Sequence, residues 1–208
     1  MLKNRKEAGQ QLAVKLMKYK NTKAIVLALP RGGVVVGYEI AHALSLPLNI
    51  VTTRKIGHPS NPEFAIGVVD EHGTKILNEA ETEAVDAKWL KKEIDNQQKE
   101  AQRRSDKYRK SGNPLNIKGQ IVIIVDDGIA TGLSMQLAVR SVKTQQPAKI
   151  IVATPVLPSS SLLMLEDEGV DEVFVLEPSE NFLGSVGAYY TEFEQVDDSE
   201  VIRLLNAT

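Results

Sequence analysis

The residues best suited to chemistry in this 208-residue sequence lie in one stretch, residues 121–134. Five branched apolar residues lead to a pair of acids, Asp126 and Asp127, and a turn rich in glycine and hydroxyl side chains follows at once. Such an apolar run is typical of a parallel strand covered on both faces, and open α/β sheets place ligands at the carboxyl ends of these strands. Glycine amides, hydroxyls and the positive end of a following helix can all bind a phosphate. The stretch therefore predicts a site for a phosphate and a neighbouring diol.

A second candidate phosphate site is the turn formed by Pro30, Arg31, Gly32 and Gly33, which again lies between a predicted strand and a predicted helix. The Arg31 guanidinium can bind two phosphate oxygens at once, and the glycines allow backbone amides to come close. The turn lacks the Lys-Ser/Thr pair of a P-loop, and its glycines do not follow the dinucleotide-binding pattern. An ordinary chain reversal is the alternative, so the interpretation as a diphosphate site depends on the first motif.

The segment 125–134 resembles the 5-phosphoribosyl-1-pyrophosphate (PRPP) motif of the type I phosphoribosyltransferases, because strand, paired acid and Thr-Gly-x-Ser turn follow in the same order. The resemblance implies that Asp126 and Asp127 hold the ribose 2′ and 3′ hydroxyls, directly or through the cofactor Mg²⁺. It also implies a 5′-phosphate site made of Gly128, Ile129, Ala130, Thr131, Gly132, Leu133 and Ser134. In this family a turn like the one at Arg31 binds pyrophosphate, often with a non-proline cis peptide. The alternative for the acid pair is a turn that only closes a buried strand.

Arg54 and Lys55 open a polar stretch that resembles the entry to the catalytic loop of adenine-type transferases. We expect a mobile loop here, since closure would keep water away from an oxocarbenium-like transition state. Closure would bring Lys55 to the diphosphate with Arg54 beside it. A solvated basic turn is the equal alternative.

Ala130 narrows the choice of acceptor. In the 6-oxopurine transferases an Asp stands at this position and exchanges a proton with the purine ring, so the resemblance implies that hypoxanthine and guanine are poor acceptors here. Glu63, in the predicted loop, is the carboxylate expected to assist another nitrogen acceptor. Phe182 and Tyr190 are candidates for stacking on the acceptor from a hood, with core packing as the alternative.

Around these motifs the sequence alternates predicted strands and helices, which indicates an α/β fold with a doubly wound, mainly parallel sheet flanked by helices. The predicted strands cover residues 24–29, 48–53, 121–125, 149–155 and 172–176, with a hairpin at 64–69 and 75–77. The predicted helices cover residues 4–19, 34–46, 79–110, 133–145 and 159–168. We expect one domain over residues 1–208, with a core at 22–178 and a small hood formed by the N-terminal helix and residues 179–208.

The predicted helix 79–110 ends in a basic stretch. A solvated amphipathic helix is the expected structure. The alternative is that Arg103, Arg104 or Arg109 reaches the phosphate region or a partner subunit.

Composition excludes several classes of function. The net charge of −2 gives no general attraction to nucleic acid, and the absence of cysteine excludes disulfides and thiolate catalysis. No apolar run approaches the roughly 20 residues of a membrane helix, and the first residues lack the pattern of a signal peptide. These features predict a cytoplasmic protein without nucleic-acid or membrane partners, while a homodimer stays open.

The sequence and the resemblance together predict a Mg²⁺-dependent transferase. It would move the phosphoribosyl group from PRPP to a small nitrogen acceptor and release pyrophosphate. The alternative function is a regulatory module that senses PRPP without turnover.

Overall fold

The computed structural model describes residues 1–109 and 116–208. The strands are β1 Ile25–Ala28, β2 Leu48–Ile50, β3 Thr53–His58, β4 Asn61–Asp70, β5 Lys75–Leu77, β6 Ile121–Val125, β7 Lys149–Pro158 and β8 Glu172–Ser179. The α-helices are α1 Arg5–Lys15, α2 Gly32–Leu44, α3 Glu79–Thr82, α4 Ala87–Tyr108, α5 Leu133–Thr144, α6 Ser159–Asp167 and α7 Asp198–Leu205. A five-stranded parallel sheet in the order β2-β1-β6-β7-β8 forms the centre, which confirms the predicted fold class.

The central strand β6 is covered on both faces. Ile123 and Val125 pack in a core with residues of α1 and α2 on one face. Val122 and Ile124 pack in a second core with residues of α5 and α6 on the other face. Because side chains alternate between the two faces of a strand, a strand buried on both faces needs an uninterrupted apolar sequence.

The connections around the sheet run in opposite directions from its middle. The chain leaves β1 through α2 toward the edge strand β2, whereas it leaves β6 through α5 toward β7. β1 and β6 are hydrogen-bonded neighbours, so the order of the strands reverses between them. Open α/β sheets bind ligands in the crevice that forms where the strand order reverses.

The stretch predicted as a mobile loop is instead the start of an antiparallel ribbon made of β3, β4 and β5, within which the predicted hairpin is confirmed. Gly57 and Pro62 lie where strands β3 and β4 pair with an irregular register, and not in a loop. The two strands are very close there, because a Cβ on Gly57 would lie 2.3 Å from the Pro62 carbonyl oxygen. Ile56 and Ile66 are buried against the apolar face of α4. The ribbon is thus packed onto the domain through α4.

The segment predicted as one helix over residues 79–110 is divided. α3 ends at Thr82, and α4 begins only after Asp86, whose side chain caps it by accepting a hydrogen bond from Trp89 N at 2.8 Å. An Asp-initiated helix start is favourable because the carboxylate satisfies a free N–H group. Lys110 lies outside the described residues.

The basic end of α4 makes local ion pairs. Arg103 and Arg104 both bind Glu100, and Arg109 forms an ion pair with the buried Glu71, with Nη1 2.7 Å from Glu71 Oε1. Arg109 therefore ties α4 to the turn between β4 and β5. This position of Arg109 does not match the alternative in which it reaches the phosphate region.

The two ends of the chain pack together at one end of the sheet. Leu2 pairs with Tyr190, and Thr191 N donates to the Leu2 carbonyl oxygen at 2.9 Å. The short helix α7, which the sequence analysis missed, buries Val201 and Leu204 in the core beside α2. Within residues 1–109 and 116–208, no helix combines the length and apolarity needed to cross a bilayer.

Candidate active site

Asp126 and Asp127 lie at the carboxyl end of β6, on the floor of the crevice. The Asp126 Oδ1 atom accepts a hydrogen bond from Asp127 N at 2.9 Å, which fixes its side chain beside the backbone. Asp127 Oδ2 accepts from Arg5 Nε at 2.6 Å, and the Tyr190 hydroxyl donates to the Asp127 carbonyl oxygen at 2.6 Å. These contacts hold the two acids in fixed orientations.

The two carboxylates have different electrostatic surroundings. Removal from water, followed by the nearby charge of Asp127, raises the pKa of Asp126 well above its ordinary range. A negative charge on Asp126 is therefore costly until a cation or hydroxyl donor arrives. Such perturbed carboxyl groups in a crevice are typical of functional sites.

The turn after the acid pair surrounds a cavity of about 170 Å³. Gly132 adopts a φ of 80°, which favours glycine, and a Cβ there would lie 2.4 Å from Met164 Cε. Within the described residues no side chain caps α5, so its first-turn N–H groups remain available to a ligand. The cavity is lined by Lys55, Asp126, Gly128, Ile129, Ala130, Thr131, Gly132, Ser134 and Met135. Six of the seven predicted phosphate-loop residues line it, and Leu133 does not.

The turn at residues 30–33 lies directly against the acid pair. Leu29 N donates to the Val125 carbonyl oxygen at 2.9 Å, and the peptide bond between Pro30 and Arg31 is cis. A Cβ on Gly32 would lie 1.8 Å from Asp127 Oδ2, so only glycine fits there. Like α5, α2 has no side-chain cap within the described residues. Two amide-rich helix starts therefore face the same crevice from opposite sides of the sheet.

The structure separates the two basic residues of β3. Lys55 lines the cavity formed with Asp126 and the turn that follows the acid pair. Arg54 lies against α4 instead, where its Nε donates to Gln97 Oε1 at 3.1 Å. Burial and the nearby Arg104 lower the pKa of Arg54. The two residues point to opposite faces because successive side chains of a strand alternate.

Glu63 and the two hood aromatics are also placed away from the cavity lining. Glu63 is exposed near the tip of the ribbon. Tyr190 is buried against Leu2 and supports Asp127 through its hydroxyl, so it packs in the core and offers no open stacking face. Phe182 is half-buried and stacks on Tyr189, with ring centroids 5.7 Å apart. Val186, and not either predicted aromatic, covers the acid loop, since a Cβ on Gly128 would lie 2.3 Å from its Cγ1.

Two side chains at the crevice were not among the predicted site residues. Arg5 of α1 binds Asp127, and Asp198 of α7 lies 3.7 Å from Arg31 Nη1. Both belong to elements far from the motifs in sequence and carry no motif of their own. Only the packing of the chain ends onto the crevice brings them there.

The acid pair fits a magnesium ion that is shared with a phosphate-bearing ligand. Carboxylate oxygens suit Mg²⁺, which usually takes one or two protein carboxylates and fills its other positions with water and phosphate oxygens. No group of three or more potential metal-binding side chains occurs within the described parts of the chain. Asp126 and Asp127 are the residues that would hold the ion, with water and phosphate oxygens in its other positions.

Comparisons with known proteins agree with this arrangement. The family described as "Phosphoribosyl transferase domain" matches residues 2–191. A protein of Mycobacterium tuberculosis strain H37Rv, named "Putative phosphoribosyl transferase Rv0571c", is 34% identical over 210 residues, covering 98% of this chain and 46% of that protein. The chain thus spans about half the length of the curated relatives it matches.

Solved structures share the fold. The protein TT1426 from Thermus thermophilus is 37% identical and superposes with a TM-score of 0.81 over 98% of this chain and 97% of that one. The protein AQ2163 from Aquifex aeolicus is 14% identical, with a TM-score of 0.55 over 84% of this chain and 73% of that one. The second likeness shows the fold alone.

Proposed function

The chain belongs to the phosphoribosyl transferase domain family, and we propose that it transfers the 5-phosphoribosyl group of PRPP to a small nitrogen acceptor. The observation that carries this proposal is the convergence at one crevice. An acid pair, two uncapped helix starts and Lys55 meet where the strand order reverses. This set matches the three parts of PRPP, namely a sugar diol, a 5′-phosphate and a diphosphate.

In the proposed reaction the acid pair orients the ribose through its 2′ and 3′ hydroxyls. Residues 130–134 bind the 5′-phosphate with backbone amides and hydroxyls. Arg31, Gly32 and Gly33 bind the diphosphate, and Lys55 approaches it from the ribbon. A bound Mg²⁺ would neutralise diphosphate charge and make the diphosphate a better leaving group.

The acceptor nitrogen attacks C1 of the ribose from the side opposite the diphosphate. The bond from C1 to the diphosphate oxygen breaks, its electron pair stays on that oxygen, and the configuration at C1 inverts. The acceptor loses its proton to a base or to water. Alignment of the reacting groups and stabilisation of the leaving charge supply most of the catalysis.

One observation favours the alternative, a PRPP-sensing module without turnover. Glu63, the carboxylate proposed to accept the acceptor's proton, is exposed and does not line the cavity. A Glu63→Gln variant with slower turnover and unchanged PRPP affinity would support the transferase. Equal turnover in the wild type and in Glu63→Gln would show that Glu63 does not take part in the reaction.

Arg31→Ala should weaken the binding of inorganic pyrophosphate by roughly 10- to 150-fold, because a charge-assisted hydrogen bond contributes about 1.5–3 kcal/mol. Ribose 5-phosphate affinity should change by less than about threefold, since that phosphate occupies the other turn. Isothermal titration calorimetry with each ligand in Mg²⁺ buffer measures both effects. Equal losses for the two ligands would contradict the assignment.

Hypoxanthine and guanine should be poor acceptors in a panel of bases offered with PRPP and Mg²⁺. Ala130 cannot exchange a proton with a 6-oxopurine nitrogen, and such general acid–base help contributes a factor of roughly 10² to 10⁴. Adenine-like or non-purine nitrogen acceptors should give faster pyrophosphate release. A panel in which guanine or hypoxanthine is preferred would refute this prediction. No turnover with any acceptor would favour the sensing module.

A further inference from the structure

Arg5 lies between the two phosphate-binding turns, although it belongs to neither motif. Three contacts fix its guanidinium: Nε donates to Asp127 Oδ2 at 2.6 Å, Nη1 donates to the Glu194 carbonyl oxygen at 2.7 Å, and Cζ lies 3.7 Å from the centre of the Phe193 ring. The side chain is only 11% exposed. A cation that is held in place and largely shielded from water interacts strongly with a nearby anion.

The hydrogen-bonding capacity of Arg5 is only partly used. A guanidinium has five N–H groups, and these contacts occupy two of them. Among the described residues the other three find no acceptor. Arg5 also lines a cavity of about 300 Å³ together with Arg31 and Gly32 on one side and the segment 193–196 on the other.

The cavity lining carries two guanidiniums and one carboxylate, Glu194, and this balance favours an anion. Arg5 and Arg31 bring two guanidiniums to it, and Gly32 is the first residue of the uncapped helix α2. A Cβ on Gly32 would lie 2.8 Å from Arg5 Nε, so the guanidinium lies directly on the turn. Two planar cations beside a helix start suit a ligand with several phosphate oxygens.

We propose that Arg5 is a further binding residue for the leaving diphosphate, acting with Arg31 and the turn at Gly32. This inference rests on the proposed phosphoribosyl transfer. As the bond from C1 to the diphosphate oxygen breaks, negative charge grows on that oxygen. Arg5 contacts Asp127 on the ribose side and the cavity on the diphosphate side, so it links the sugar site to the leaving-group site.

The test compares Arg5→Gln and Arg5→Lys with a matched control, Lys6→Gln, which removes the same charge from an exposed neighbouring residue. Each protein is titrated calorimetrically with inorganic pyrophosphate and, separately, with ribose 5-phosphate, both in Mg²⁺ buffer. Far-UV circular dichroism and thermal unfolding check that each variant is folded.

Arg5→Gln should bind pyrophosphate roughly 10- to 100-fold more weakly, with less than about a threefold change for ribose 5-phosphate. Arg5→Lys should recover part of the loss because it keeps the charge without the planar fork, and Lys6→Gln should behave as the wild type. If Arg5→Gln does not fold, an Arg5→Lys protein that loses pyrophosphate affinity selectively still supports the proposal.

Unchanged pyrophosphate affinity in a folded Arg5 variant would overturn the role of Arg5 and leave the proposed function standing. Equal losses for the two ligands would mean that Arg5 only supports the structure. Wild-type protein that binds neither PRPP nor pyrophosphate would overturn the proposed function and this inference together.

Discussion

Asp126→Asn should bind PRPP in Mg²⁺ buffer roughly 10- to 150-fold more weakly than the wild type, yet its ligand-free form should be the more stable protein. The loss of PRPP affinity follows from removing the charge-assisted contact of Asp126 to a ribose hydroxyl or to the bound Mg²⁺, which contributes about 1.5–3 kcal/mol. The gain in stability follows from burial and the neighbouring Asp127, which raise the pKa of Asp126. Asn removes that unfavourable charge, and its side-chain oxygen can still accept the hydrogen bond from Asp127 N.

The sign of the pH effect provides a second readout for Asp126. Its pKa is raised on folding, so the native state holds the proton more tightly than the unfolded state. The stability of the metal-free wild type should therefore fall as pH rises from the ordinary carboxyl range through the raised native pKa. Asp126→Asn should lack this decline. Its melting temperature at neutral pH should rise by roughly 2–4 °C if the gain is about 1 kcal/mol.

Calorimetric titration with PRPP and thermal unfolding in chelator at several pH values measure the two effects. Asp167→Asn is the matched control, because Asp167 is exposed at the end of α6, away from the crevice. It should change neither PRPP affinity nor the pH profile. A lower melting temperature for Asp126→Asn together with wild-type PRPP affinity would show that the carboxylate is structural.

Arg109→Met should reduce the free energy of unfolding by roughly 3–5 kcal/mol, because it leaves the carboxylate of Glu71 buried without its cation. Glu71 is 5% exposed, and Arg109 joins it to the edge strand β2 by donating to Asn49 Oδ1 at 3.0 Å and to the Ile50 carbonyl oxygen at 2.8 Å. This ion pair therefore links α4, the ribbon and the central sheet.

Urea denaturation of a double-mutant cycle tests this ion pair. Replacing both Glu71 and Arg109 by Met should recover much of the loss, since no buried charge is then left unpaired. Arg203→Met breaks an exposed ion pair with Glu200 and should cost less than about 1 kcal/mol. A cost for Arg109→Met no greater than that control, or a double variant less stable than both single variants, would contradict the account.

Most of the central sheet and the two glycine-containing turns at its crevice could be predicted because their signals are local. A buried parallel strand such as β6 needs a continuous apolar run, and the acids and glycines follow directly in the chain. The two turns face each other because each follows one of the neighbouring strands β1 and β6. The positions of the acid pair and of the cavity-lining residues that follow it can therefore be read from the local sequence. The position of Lys55 cannot, because it depends on how the ribbon packs.

The errors arose where distant packing decides the structure. Gly57 and Pro62 indicate a loop by composition, but the burial of Ile56 under α4 holds them in a ribbon. The same ribbon turns Arg54 toward Gln97, although it neighbours Lys55 in sequence.

Contacts between residues far apart in the sequence could not be predicted from local sequence patterns. Arg5 and Asp127 are 122 residues apart, and their 2.6 Å ion pair exists only because α1 packs over the crevice. The short helix α7, by contrast, has a local signal that was not used, because Asp197 caps it and apolar residues at helical spacing make up half of its eight residues.

A crystal structure of the protein with PRPP and Mg²⁺ tests the central claim most directly, because the claim is that one crevice holds all three parts of this ligand. We predict the 5′-phosphate at residues 130–134, the ribose hydroxyls at Asp126 and Asp127, and the diphosphate between Arg5 and the turn at Gly32. PRPP bound away from the acid pair, or a crevice that stays empty at saturating PRPP, would contradict the account.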